Sequence, residues 1–191
     1  MYKRQILKRS EKIVDNLGIT DPAVKQNVLY ILANRYFKLN DIYEVRDQKV
    51  KYAKAVLTGA SKQAAIEAAE LEKDATLYRC HFEFPASLSL YINDKQIDAI
   101  KDGMTYNSLQ VQYESLVDMV PSLTEEEKKQ IYAWYKEARE FSMDAENSDK
   151  KHAAFNKYKG RINNYLTKRG YDLVKERNEW YKRLKAAGKK I

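Results

Sequence analysis

Apolar residues at Val24, Val28, Ile31, Leu32, Leu39, Ile42, Val50, Ala53 and Leu57 return at helical spacing, with no breaker before Gly59. A stripe that long predicts one very long helix, the expected spine of the fold. A short basic helix precedes it over residues 2–17, with Ile6, Ile13, Val14 and Leu17 inward and Gly18 as its C-cap. Thr20 is the expected N-cap of the spine, and Pro22 falls in the first turn, where a missing N–H is harmless. Ser61 opens a third helix, alanine-rich and then aromatic, which reaches Leu88 with a kink at Pro85. A fourth starts behind Ile92 and Asn93 and ends at Asp102-Gly103. A fifth starts behind the capping box of Thr124 and Glu127 and runs to about Ala145. The last two occupy residues 149–167 and 172–187, separated by Gly170. Residues 105–113 alternate polar and apolar positions without a helical stripe, so this stretch is expected to be extended.

The helix over 149–167 has two distinct sides. Phe155, Tyr158, Ile162, Tyr165 and Leu166 share one and predict core contact, whereas Lys157, Gly160, Arg161, Asn164 and Lys168 share the other. A glycine inside a helix costs about 1 kcal/mol relative to alanine, so Gly160 needs an offset. Either another helix crosses closely there, which is the expected explanation, or a ligand touches bare backbone.

With 6 Gly and 3 Pro in 191 residues, there is little material for the turns that strands demand, and the predicted class is all-α: a single helical domain of about six or seven helices. The net charge of +8 favours anionic partners, but the cations are mixed with acids along the chain. That mixing argues against the clustered basic face of a nucleic-acid binder. Fifteen tyrosines supply rings that stack and hydroxyls that hydrogen-bond. No apolar run approaches the roughly 20 residues of a membrane span. The single cysteine, Cys80, leaves the redox compartment undecided.

Arg35 and Arg46 fall near the apolar stripe of the spine, so at least one is expected to meet a carboxylate of another helix. With only His81 and His152 and no Cys pair, the chain offers no metal site of common type, and nothing calls for a cofactor. No nucleophile elbow, phosphate-cradling loop or dinucleotide fingerprint occurs. The acids Glu137, Glu140 and Asp144 share a helix face at spacings that suit acid/base chemistry, but such spacing is expected by chance on a charged helix.

Three blocks, residues 34–40 (Asn-Arg-Tyr-Phe-Lys-Leu-Asn), 101–106 (Lys-Asp-Gly-Met-Thr-Tyr) and 157–166 (Lys-Tyr-Lys-Gly-Arg-Ile-Asn-Asn-Tyr-Leu), make the chain resemble, nearly end to end, an uncharacterised family of secreted bacterial helical proteins carrying a provisional sugar-binding label. The resemblance implies an all-helical domain exported to the periplasm or beyond behind a signal peptide that this chain does not include. It implies no known reaction. The helix starts at Ile92 and Leu123 are also similar to the Leu-Thr-x-x-Gln signature of small periplasmic helical chaperones, although Ile92-Asn93 and Glu127 depart from it and Ala23 breaks it at the opening of the spine behind Ile19-Thr20.

The resulting functional expectation is a non-catalytic carbohydrate-binding protein. Tyr158, Tyr165 or Tyr106 would stack on a sugar face, while Arg161, Asn163, Asn164, Lys157 and Asp102 address hydroxyls or a uronate carboxylate beside Gly160. The first block of the resemblance adds Asn34, Arg35 and Asn40. A chaperone-like protein holding client chains is the alternative, and a carbohydrate-active enzyme using the Glu137 face is the third reading. Nothing in the sequence decides the oligomeric state.

Overall fold

The computed structural model describes residues 2–189, and among these every regular element is a helix. Nine occur in the order α1 (Tyr2–Asp15), α2 (Pro22–Val56), α3 (Gly59–His81), α4 (Glu83–Leu88), α5 (Asp94–Met104), α6 (Ser108–Met119), α7 (Glu125–Met143), α8 (Ser148–Lys168) and α9 (Leu173–Ala186). None of them is long and apolar enough to cross a membrane. Contacts group the chain into two compact units, residues 1–100 and 101–191, with the boundary inside α5.

In the first unit α1 and α3 both pack on α2, and α4 packs on α2 and α3. Val14, Val28, Leu32, Leu39 and Leu88 form its interior. The spine begins one residue later than expected: Asp21, not Thr20, is the N-cap, and its carboxylate accepts from the Ala23 N–H at 2.8 Å and the Val24 N–H at 3.3 Å. A charged acceptor placed directly before Pro22 outcompetes the hydroxyl one residue upstream, because it also complements the helix dipole. The third helix starts at Gly59, with φ +55°, rather than at Ser61. Pro85 does not kink it. Helix α3 stops at His81, and Pro85 lies in the first turn of the separate α4, where no backbone donor is missed.

Arg35 lies inside, as its place on the stripe predicts, at 4% exposure. Its Nη1 donates to the Cys80 carbonyl at 2.8 Å, and the guanidinium lies over the Phe84 ring. Its charge, after the hydrogen bond from Lys38, helps hold the Glu83 carboxyl on α4 below the usual carboxylate range. Past Leu39 the long helices continue as a two-helix arm in which the buried residues are Ala53 and Ala69. Ion pairs tie its seam: Arg46 to Glu70 at 3.1 Å, Lys73 to Glu70 at 2.8 Å, and Lys49 to Glu72.

The core of the second unit is built from α6, α7 and α8 and centres on Leu109, Ile131, Tyr135, Ala138, Phe155, Ile162 and Leu166. Residues 105–113 are not extended. Tyr106 and Asn107 form a left-handed turn, with φ of 59° and 54°, and α6 starts at Ser108. The stripe of this helix is Leu109, Tyr113, Leu116 and Val120, so a window ending at 113 samples barely one turn of it. The capping box of α7 forms as expected: Thr124 Oγ1 accepts from the Glu127 N–H, and the Glu127 carboxylate accepts from the Thr124 N–H. That carboxylate also takes the Tyr171 hydroxyl at 2.7 Å, and this bond, followed by those from Thr124, holds it below the usual carboxylate range. Helix α9 docks by polar contacts at the end of α6, where Trp180 Nε1 donates to Asp118 and Arg183 donates to the Asp118 carbonyl, each at 2.6 Å.

Candidate functional site

Helix α8 starts where Asn147 accepts from the Lys150 N–H at 3.0 Å, and its inner side buries Phe155, Tyr158, Ile162 and Leu166. Its outer side leaves Lys157, Gly160, Arg161, Asn164 and Lys168 exposed. A Cβ placed on Gly160 would meet nothing within 4 Å. No helix crosses there, so the expected explanation of this glycine is overturned. What the structure presents is bare backbone, open to solvent, between two cations and an amide.

Beside that face runs a row of alternating rings and guanidinium groups. Arg161 sits 4.8 Å over the Trp134 ring, Trp134 meets Tyr165 edge-on at 5.0 Å, and Arg169 sits 4.7 Å over Tyr165. An arginine stacked on a ring keeps its in-plane N–H groups pointing outward, which is the orientation that takes a carboxylate, sulfate or phosphate in bidentate fashion. Each arginine has one acid near it at long range: Glu137 is 3.5 Å from Arg161, with both side chains about half exposed, and Glu127 is 3.5 Å from Arg169. The Arg161–Glu137 contact, long and half exposed on both sides, contributes little to stability, whereas the Glu127 carboxylate is buried. Asn163, half-buried, stands next to this row.

Tyr158 does not belong to it. The ring is 7% exposed and stacked on Phe141 at 6.3 Å. Burial first, and then donation of its hydroxyl to Glu137, pushes its pKa up to about 12. Burial alone does the same to Tyr135. The ordinary value is 10.0, so the folded state holds these protons where the unfolded chain releases them. The stability this contributes is complete below pH 10 and falls as the pH rises toward 12. Chemical denaturation at stepwise increasing pH is expected to show that loss, and Tyr158→Phe is expected to flatten the slope; an unchanged slope contradicts the assignment.

Asp102 and Tyr106 lie elsewhere in the same unit. Arg139, at 2% exposure, donates from Nη1 to the Asp102 carboxylate at 2.9 Å and from Nη2 to Glu140 at 3.3 Å, and Lys101 holds Glu140 at 2.9 Å. Asp102, expected to address a ligand, here accepts from a buried guanidinium. Tyr106 stacks on His152 at 5.6 Å. His152 precedes Gly160 by eight residues, about 12 Å along the helix axis. The buried Lys151 donates to the carbonyls of Met104 and Met143, each at 3.2 Å, and so anchors the C-terminal ends of α5 and α7. Neither Arg139 nor Lys151 was expected inside, although both stand within a turn of core residues, the same signal that marks Arg35.

The acids Glu137, Glu140 and Asp144 are placed in different surroundings. Glu137 is engaged by Arg161 and Tyr158, Glu140 by Lys101 and Arg139, and Asp144 is buried. Among the described residues, no group of three His, Cys, Asp or Glu side chains is placed to hold a metal ion. Asn34, Arg35 and Asn40 belong to the first unit. The first two line a cleft of about 200 Å³ with Lys38, Glu83 and Phe84, while Asn40 is exposed on α2 outside that cleft. Within the second unit Lys157, Gly160, Arg161, Asn163, Asn164 and Tyr165 stay together on α8, whereas Tyr158 lies on its inner side and Asp102 and Tyr106 meet Arg139 and His152.

The chain belongs to a family described as a protein of unknown function (DUF3826), whose profile matches residues 3–186. No curated protein matches the sequence.

Proposed function

We propose that this DUF3826 member is a non-catalytic binding protein for an acidic oligosaccharide, acting outside the cytoplasm, with the outer face of α8 as its recognition surface. The observation that carries the reading is the open backbone at Gly160, flanked by exposed Lys157, Arg161 and Asn164. A helix-destabilising residue left in open solvent beside preoriented cations fits a ligand that approaches closer than any side chain would allow. The stacked arginines add the chemistry. Arg161 and Arg169 are eight residues apart, about 12 Å along the axis, so a ligand bridging both carries anions at about that spacing. That favours an oligomer of uronic acid or sulfated sugar over a monosaccharide. The asparagines and the edges of Trp134 and Tyr165 supply the contacts that distinguish a sugar from a simple polyanion.

Isothermal titration with oligouronates of two to six sugars, beside neutral oligosaccharides of equal length, tests this reading. Arg161→Ala is expected to weaken binding at least 10-fold, the loss of one charge-assisted hydrogen-bond pair. It is expected to change the unfolding free energy by less than about 1 kcal/mol, since its ion pair is exposed. Absence of binding by every oligosaccharide, or a large stability loss in Arg161→Ala, overturns the proposal.

A further inference from the structure

Helix α7 brings a carboxylate to the same guanidinium that it cushions. Glu137 follows Trp134 by three residues, on one face of α7. The helix that places a ring 4.8 Å under Arg161 therefore also places an acid 3.5 Å from its Nη1. Both side chains of that pair are about half exposed, so a ligand on the outer face of α8 can reach them. Glu137 also accepts the hydroxyl of the buried Tyr158. One carboxylate thus has two partners, a guanidinium on an exposed side chain and a hydroxyl on a buried one.

On the proposed reading of the outer face of α8, on which this rests, we infer that Glu137 is the built-in competitor of the ligand: it occupies Arg161 until an anionic group takes its place, and Tyr158 then keeps it. The exchange swaps one carboxylate for another, so the charge around Arg161 stays balanced. It costs little, because a long, half-exposed ion pair is weak. After the exchange Glu137 still accepts from Tyr158, so no acceptor is left without a donor.

The second arginine of the row differs. Its acid, Glu127, has a side chain only 4% exposed, and that carboxylate also takes the Tyr171 hydroxyl at 2.7 Å and the Thr124 N–H at 2.9 Å as part of the cap of α7. Glu127 cannot leave without breaking the cap, so it orients Arg169 permanently. Arg161 is the exchangeable end of the row and Arg169 the fixed one. A single carboxylate that takes Arg161 from Glu137 gains little, since one exposed pair replaces another. Net affinity has to come from a further anion placed at Arg169 or at the exposed Lys157, which selects an acidic oligomer over one acidic sugar.

Isothermal titration of the full chain with tetragalacturonate tests this. Glu137→Gln, which keeps the shape and removes the charge, is expected to bind about 2- to 5-fold more tightly than the parent, the range an exposed ion pair corresponds to. Loss of a negative charge attracts a polyanion in any case, so the second variant is the decisive one. Tyr158→Phe changes no charge. With the hydroxyl gone, Glu137 is left to Arg161 alone, and binding is expected to weaken about 2-fold, the low end for one hydrogen bond. In the Glu137→Gln background the same Tyr158→Phe change is expected to leave affinity unaltered. Circular dichroism at the titration temperature checks that each variant is folded. Unchanged or weaker binding by Glu137→Gln, parent-like binding by Tyr158→Phe, or an equal loss from Tyr158→Phe in both backgrounds overturns the inference while the recognition surface stands. A parent that binds no uronate oligomer overturns the recognition surface and the competitor together.

Discussion

Replacing Arg139 by methionine is expected to lower the unfolding free energy by about 3 to 5 kcal/mol, the range for removing one partner of a buried ion pair. The guanidinium is 2% exposed and answers two carboxylates on different helices, Asp102 on α5 and Glu140 on its own α7. Methionine fills much of the volume, so packing is not the main loss. What remains is Asp102, its side chain 14% exposed, with a charge and no guanidinium to meet it. Glu140 suffers less because Lys101 still holds it at 2.9 Å. Urea denaturation followed by circular dichroism gives the number. Asp102→Asn in the Arg139→Met background should recover part of the loss, because it removes the stranded charge. A loss below about 1 kcal/mol, or no recovery in the double variant, means that the pair is solvated and contributes little.

That pair also marks where the sequence was hard to read. Local features were legible: the 35-residue spine, the capping box at Thr124 and the two sides of α8 all follow from spacing and from chemistry within four residues. Asp21 was missed as the spine's cap because two good capping residues stand side by side, and only the position of Pro22 separates them. Helix α6 was missed because Tyr106 and Asn107 adopt positive φ without glycine, which hid the turn that starts it. The burial of Arg139 and Lys151 was signalled only by the core residues within a turn of them, and their partners Asp102 and Met104, 37 and 47 residues away, are not announced by anything local.

The candidate site divides along the same line. Arg161 and Asn164 were placed correctly on the outer face because helical period alone decides that. Tyr158 was given a ligand role on the strength of its ring, but its position relative to Phe155 and Ile162 already put it on the inner side, where it meets Phe141 and Glu137. Asp102 was joined to the α8 face only by its membership of a neighbouring sequence block, which carries no geometric information. Gly160 is the reverse case: its cost was visible from the sequence, whereas the open space beside it is a tertiary fact.

Phe155→Ala is expected to cost about 3 to 5 kcal/mol, the range for truncating a large aromatic in a packed core. The side chain is fully buried on the inner side of α8 and faces Tyr135 of α7 at a ring distance of 6.5 Å. Leu109, Ile131, Ile162 and Leu166 belong to the same cluster, so truncation opens a cavity in close-packed surroundings that relax only partly. Lost transfer free energy and lost ring contacts both contribute. The comparison with Arg161→Ala is the informative one, since the two residues lie on one helix less than two turns apart. The core variant should lose stability and, at a temperature where it is still folded, keep its affinity for an oligouronate; the face variant should keep stability and lose affinity. Thermal unfolding and titration of both variants decide the matter. If Phe155→Ala weakens binding as much as Arg161→Ala does while still folded, the outer face of α8 is not an independent recognition surface but depends on the core packing beneath it.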